Sequence, residues 1–139
     1  MKIYFAGSIR GGREDRDIYF FAIQELQKFG TVLTEHIGGK DLKEEGEHGI
    51  TDREIFERDI FWIREADIVV AEVTTPSLGV GYEIGQAEGM NKPVICLYRK
   101  MGGKRLSAMI SGNSNVRIFE YSSLEDLVNI FKNNLPHLS

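Results

Sequence analysis

Apolar positions in this chain follow two different periods that alternate along its length. Short runs dense in apolar and β-branched residues, at 2–6, 31–37, 67–73, 94–98 and 116–121, predict five strands. Between them apolar residues recur every three or four positions, the spacing of one helix face. Ile18, Phe21, Ala22, Ile23, Leu26 and Phe29 predict a first helix, with Gly30 placed to end it as the residue beyond the cap. Thr51 and Glu54 have the spacing of a capping box and open a helix to about residue 66. A loop over 74–81 leads into a third long helix that runs through Met90, and 106–110 reads as a short one. Ser122 with Glu125 suggests a further capping box ahead of Leu124, Leu127, Val128, Phe131 and Leu135, a terminal amphipathic helix.

The run Ile68-Val69-Val70-Ala71 lacks polar alternation, as a parallel strand covered on both faces should. Strands alternating with helices, joined by right-handed crossovers, predict an α/β fold: a doubly wound, Rossmann-like, five-stranded parallel sheet in a single domain over 1–139. Ligands in such folds lie beyond the carboxyl ends of the strands, which puts the loops at 7–12 and 74–81 in one crevice. The glycine-containing stretches 38–50 and 99–104 read as loops.

Two carboxylates fall on the apolar side of their helices. With Phe56 taken as the centre of the apolar arc, Asp59 lies about 60° away, between Ile63 and Ile55. A carboxylate there is commonly paired with a neighbouring Arg; the alternative is a place in a functional site, because burying one without a partner is costly. On the next helix Glu83 lies on the side of Val80, Ile84 and Ala87, and a first-turn position would let the helix dipole stabilise it as an anion. Two carboxylates entering one cleft are the apparatus for splitting a glycosidic bond, with Glu83 the candidate nucleophile.

Gly7-Ser8-Ile9-Arg10-Gly11-Gly12 follows a strand and precedes a helix, offering backbone N–H groups, a hydroxyl and a guanidinium to a phosphate. It matches neither the dinucleotide fingerprint nor Walker A, which disfavours NAD and ATP-motor chemistry. Ser77, just before Gly79, supplies a second hydroxyl. The balance of 17 Lys and Arg against 21 Asp and Glu gives a net charge of −4, which argues against a protein that coats nucleic acid, so any anion must be held locally. A single cysteine, Cys96, excludes an intrachain disulfide, and in its apolar strand it reads as a core thiol. His36, His48 and His137 lack metal-ligand spacing, although His36 at a strand end could line the cleft. Met101-Gly102-Gly103-Lys104-Arg105 reads as a solvated basic loop. No apolar stretch has the roughly 18 residues of a membrane span, and a strand begins at Lys2 with no signal peptide ahead of it, which predicts a cytoplasmic protein.

Five blocks together carry a resemblance. They are Tyr4-Phe5-Ala6-Gly7-Ser8-Ile9-Arg10-Gly11-Gly12-Arg13-Glu14-Asp15, Gly30-Thr31-Val32-Leu33-Thr34-Glu35-His36, Ala66-Asp67-Ile68-Val69-Val70-Ala71-Glu72-Val73, Pro76-Ser77-Leu78-Gly79-Val80-Gly81-Tyr82-Glu83 and Leu106-Ser107-Ala108-Met109-Ile110. In this order they resemble the nucleoside deoxyribosyltransferase superfamily and, within it, the 2′-deoxynucleoside 5′-phosphate N-hydrolases. The resemblance implies cleavage of a 2′-deoxynucleoside 5′-monophosphate to a free base and 2-deoxyribose 5-phosphate, without cofactor or metal. It implies Glu83 as nucleophile, Asp59 as the carboxylate that positions the sugar or assists proton transfer, and Tyr4 as the group that orients the nucleophile. It further implies Ser8, Arg10, Ser77 and Gly79 around the 5′-phosphate, Gly7, Ile9 and Gly11 lining the same site, and Ser107 reaching it from the other subunit of a homodimer. The stretches 38–50, 99–104 and 112–117 fall outside the resemblance.

Two other readings compete. A nucleoside 2-deoxyribosyltransferase would hand the sugar to a second base, although Arg10 beside Ser8 favours a phosphorylated substrate. A non-catalytic nucleotide-binding module would use the carboxylates only to shape its pocket, and two inward carboxylates argue against it.

Overall fold

The computed structural model describes residues 1–34, 36, 49–100 and 105–135. Strands β1 (Lys2–Ala6), β2 (Thr31–Val32), β3 (Ile68–Glu72), β4 (Val94–Arg99) and β5 (Arg117–Tyr121) form one parallel sheet in the order β2-β1-β3-β4-β5. Helices α1 (Gly12–Leu26), α2 (Asp52–Glu65), α3 (Leu78–Gly89), α4 (Ala108–Ser111) and α5 (Leu124–Asn134) complete the doubly wound α/β arrangement. No helix among the described residues is long and apolar enough to cross a membrane.

The alternation of side chains along β1 sorts them between two cores. Ile3 and Phe5 face α1 and α5, packing with Tyr19, Leu26, Leu127 and Phe131. Tyr4 and Ala6 face the opposite layer, with Ile63 of α2 and Val80, Ile84 and Ala87 of α3. The central strands have no exposed face, so β3 is buried at every position and its apolar run needs no polar alternation.

Several local expectations shift in the folded chain. β2 ends at Val32 because side-chain bonding replaces the ladder: Leu33 N–H donates to Ile3 O, and then the Thr34 hydroxyl takes both polar groups of Phe5. It accepts from Phe5 N–H at 2.9 Å and donates to Phe5 O at 2.7 Å. Gly30 does not end α1, which closes at Gln27. Gly30 lies instead against the chain start, where a Cβ would approach Met1 O to 2.0 Å. The last capping box uses Ser123 and Asp126, one residue beyond the predicted pair, and the short helix starts at Ala108 with Ser107 as its cap. The capping box of Thr51 and Glu54 forms as predicted. Phe56, taken as the centre of an inward arc, is 52% exposed, and α2 buries Ile63. Of the predicted features, residues 35 and 37 of the second strand, most of the 38–50 loop, residues 101–104 of the basic loop, His48 and His137 lie outside the described residues.

Thr34 is buried and stands in for a missing rung of the sheet. Thr34→Val keeps its shape and leaves the N–H and C=O of Phe5 without that partner. We expect a loss of about 2–4 kcal/mol, seen as a lower urea midpoint at unchanged slope. A loss below about 0.5 kcal/mol would show that the hydroxyl is dispensable.

Candidate active site

Beyond the carboxyl ends of β1 and β3 lies a cleft of about 680 Å³. The crossovers from β1 and β3 diverge at this point of the sheet, the switch position at which doubly wound folds open a crevice. Tyr4, Gly7, Ser8, Ile9, Arg10, Asp59, Ser77, Gly79 and Glu83 all line it. Two predicted residues do not. Gly11 packs on Asp15, where a Cβ would fall 1.9 Å from the carboxylate, and Ser107 lines a neighbouring cavity of about 730 Å³. The two cavities share Pro76, Ser77, Leu78 and Val80, so the turn that begins α3 forms a wall between them.

The wall starts one turn earlier than the sequence pattern suggested. The Ser77 hydroxyl caps α3 by accepting from Val80 N–H at 3.2 Å, and Leu78 is already helical. Glu83 therefore belongs to the second turn, away from the orphan N–H groups that would hold it as an anion. Burial dominates instead. It pushes the Glu83 carboxyl up to about 7, with the hydrogen bond from Tyr4 opposing the shift and the charge of Asp59 adding to it.

Tyr4 Oη donates to Glu83 Oε2, joining β1 to α3 across the floor of the cleft. Tyr4 is fully buried, and its hydroxyl is pushed far above its ordinary value by that burial and then by the charges of Glu83 and Asp59. It consequently remains a donor at every physiological pH and fixes one carboxylate oxygen in place. Sequence patterning gave no independent reason to select Tyr4; its signal is a phenol at an inward position of a central strand, which must find a partner for its hydroxyl.

Asp59 meets both of its predicted environments. Its Oδ1 accepts from Arg58 Nε at 3.0 Å, and it lines the cleft within electrostatic reach of Glu83 and Tyr4. Arg58 lies 4.7 Å from the centre of the Trp62 ring and 3.4 Å from His36 Nε2, so a cation, an indole and an imidazole gather on this side of the cleft. Arg58 was not selected from sequence, because an arginine beside an aspartate on a charged helix has no distinguishing pattern.

Other residues of the lining are rich in donors. Ser8 is buried and its hydroxyl accepts from Arg10 N–H at 3.3 Å. The hydroxyls of Ser8 and Ser77 each accept one backbone N–H and keep their own proton to donate. Arg10 is exposed at the rim. Gly79 leaves the space between Ser77 and Glu83 open: a Cβ there would lie 3.8 Å from Ser77 Oγ and 3.9 Å from Glu83 Oε1. The cleft lining thus brings together hydroxyl and N–H donors, the Glu83 carboxyl and the Arg58 cation. Among the described residues no three His, Cys, Asp or Glu side chains are grouped to hold a metal ion.

Because the folded protein holds the Glu83 proton more tightly than the unfolded chain, this group favours folding at low pH. That contribution falls away as pH rises from about 4.5 to about 7. We expect carboxyl-selective NMR to give Glu83 a midpoint near 7, and a higher one in Tyr4→Phe, which removes the opposing hydrogen bond. Glu83→Gln should raise the melting temperature by a few degrees above pH 7 and progressively less toward pH 5. A wild-type midpoint in the ordinary carboxylate range would contradict the burial argument.

Residues 3–116 match the nucleoside 2-deoxyribosyltransferase family. A 5-hydroxymethyl-dUMP N-hydrolase of Tetraodon nigroviridis is 51% identical over 96% of this chain and 99% of its own length. The protein of the same name from Homo sapiens is 50% identical over 88% of this chain and 73% of its own. Among solved structures, a 2-deoxyribosyltransferase from Bacillus psychrosaccharolyticus superposes with a TM-score of 0.70 at 23% identity, covering 97% of this chain and 96% of the other, a likeness of fold. The match over most of the chain and the identity to these relatives establish that this protein belongs to the nucleoside 2-deoxyribosyltransferase family.

Proposed function

We propose that this chain, as a single domain over 1–139, hydrolyses the N-glycosidic bond of 2′-deoxynucleoside 5′-monophosphates. The products are a free base and 2-deoxyribose 5-phosphate. The observation that carries the reading is the hydrogen-bonded pair Tyr4 and Glu83, set in a cleft whose neighbouring end presents Ser8, Arg10 and Ser77. Two relatives named for 5-hydroxymethyl-dUMP hydrolysis, at 50% and 51% identity, support the same reaction class.

The residues divide the work by position. The 5′-phosphate lies among the hydroxyls of Ser8 and Ser77, the guanidinium of Arg10 and the backbone of Gly7, Ile9 and Gly79, with Gly11 supporting that loop from below. This anchors the sugar over Gly79 with C1′ facing Glu83. The free Glu83 oxygen attacks C1′, the bond to the base nitrogen breaks with its electron pair, and Asp59 positions the sugar or assists proton transfer to the departing base. Tyr4 orients the nucleophile by holding its other oxygen. Water then attacks C1′ of the ester, its oxygen joins the sugar, its surplus proton passes to Asp59 or to solvent, and Glu83 leaves as a carboxylate. The raised Glu83 value makes the ionised carboxylate more basic than an ordinary one, which favours its attack on C1′. None of these steps calls on a cofactor or metal.

We also propose a homodimer that completes the site. Leu78 is 96% exposed and Met109 82%, and both line the second cavity together with Tyr82 and Ser107. An apolar surface of this kind fits burial against a second copy. The Ser107 hydroxyl accepts from Met109 N–H at 3.2 Å and retains its own proton for the partner subunit's phosphate.

Base-release assays over the deoxynucleoside monophosphates test the reaction. We expect removal of the 5′-phosphate to lower kcat/KM by about a hundredfold or more, with kcat falling as well as affinity. Glu83→Gln should reduce release at least about a thousandfold without loss of fold. Equal rates on a nucleotide and its nucleoside, or on deoxy and ribo forms, would overturn the assignment. Transfer to an added acceptor base in preference to water would identify a transferase, and binding without turnover a non-catalytic module.

Shared sites predict complementation. Mixing Glu83→Ala chains with Ser107→Ala chains gives heterodimers with one doubly altered and one intact site. With random reassortment, activity should recover to about a quarter of wild type. Subunit exchange is followed with tagged chains. If exchange occurs and activity stays at the mean of the parents, Ser107 does not act across the interface.

A further inference from the structure

The reaction scheme leaves unused a buried polar network beneath the two loops. Asp15, in the first turn of α1, is 1% exposed and its carboxylate touches three elements. Oδ1 accepts from Arg99 Nη2 at the end of β4 at 2.7 Å, and Oδ2 accepts from the Thr75 hydroxyl at 2.5 Å. The same Oδ2 lies against the backbone of Gly11, where any Cβ would come within 1.9 Å. Thr75 stands two residues before Ser77, and Gly11 one after Arg10. One carboxylate therefore joins the loop of Ser8 and Arg10 to the loop of Ser77.

A second buried carboxyl fixes the same turn from below. Glu72, fully buried at the end of β3, accepts from Thr74 N–H at 2.7 Å, from the Thr74 hydroxyl at 2.9 Å and from Tyr121 Oη. The Thr74 hydroxyl in turn accepts from Arg99 N–H at 2.8 Å. Thr74 is thus tied to its own strand and to β4, and Thr75 is the point at which the turn connects to α1.

We propose that Asp15 is a positioning residue: through Thr75 and Gly11 it holds the two donor-bearing loops at the separation that one phosphate spans. This rests on the phosphate site described above, and it goes further in assigning the loop geometry to a side chain that touches no substrate. The network is unsuited to direct contact, since Asp15 lies under Gly11 and outside the cleft lining. A negative charge also could not serve as a phosphate ligand; its use is to orient the groups that are.

The test compares wild type with Thr75→Val, which removes the hydroxyl at nearly constant shape, Thr75→Ser, which restores it, and Asp15→Asn. Each is measured for melting temperature, for kcat and KM on a deoxynucleotide and on its nucleoside, and for affinity for inorganic phosphate. We expect Thr75→Val to lose about tenfold of the preference for nucleotide over nucleoside while nucleoside turnover stays within about twofold, and Thr75→Ser to regain it. Phosphate affinity should fall by about the same factor. Asp15→Asn should reproduce the effect if it folds, and the Thr75 pair decides the matter if it does not. Unchanged discrimination and phosphate affinity in Thr75→Val, or equal losses on nucleotide and nucleoside, overturn the positioning role while leaving the hydrolase reading intact. A wild type that binds phosphate without hydrolysing nucleotides, with binding weakened in Thr75→Val, sinks the hydrolase reading and keeps the positioning role. A wild type that neither binds phosphate nor hydrolyses nucleotides sinks both.

Discussion

Parallel pairing of β1 with β3, in the register Tyr4↔Val69 to Ala6↔Ala71, sets the ends of two distant strands side by side and turns their following loops toward one crevice. In a parallel sheet every loop at the carboxyl edge opens on the same side, so this pairing alone makes the Ser8 loop and the Ser77 turn neighbours. The pleat of β1 then determines which chemistry enters the crevice. Odd positions feed the core under α1 and α5, and even positions feed the layer under α2 and α3. Tyr4 is even, and α3 carries Glu83 in that same layer, so strand register and helix phase together produce the contact between them.

The cleft is electrostatically expensive. Glu83 and Asp59 repel each other in a site where burial already opposes ionisation, and the result is a carboxyl near 7 in place of one firmly ionised. Tyr4 and Arg58 moderate that cost, one by donating to Glu83 and the other by pairing with Asp59. The layers on each side of the sheet, built from fully buried Ile, Leu, Val and Phe side chains, supply the stability that tolerates it. Polar groups are concentrated at the carboxyl edge, where hydrogen bonds link Glu72 to Thr74, Thr74 to Arg99 and Arg99 to Asp15 beneath the loops.

Much of this was legible before folding. The apolar run of β3, the period of α1 and the Thr51 capping box are local signals, each fixed by contacts within a few residues. Glu83 and Asp59 could be selected because a charge on an apolar arc violates a local pattern. Where local signals misled, a tertiary contact had intervened. Gly30 is required by the carbonyl of Met1 and not by the end of α1, and Thr34 shortened β2 by giving its hydroxyl to Phe5. Phe56 sits on an apolar arc whose burial α2 does not complete within one chain.

By itself, then, the sequence determined the order of strands and helices, the doubly wound parallel sheet, the two loops that share a crevice and the two carboxylates set against their helices. Those follow from periodicity and from the cost of placing charge on an apolar face, which are properties of neighbouring residues. Only the tertiary structure decided that Tyr4 meets Glu83, that Glu83 lies in the second turn of α3 with a raised carboxyl, that Arg58 attends Asp59 at the cleft, and that Asp15 ties the two loops together. Each of these depends on the separation of groups brought together by strand register and layer packing, and a hydrogen bond or a charge interaction is decided by that distance, to which sequence spacing is blind.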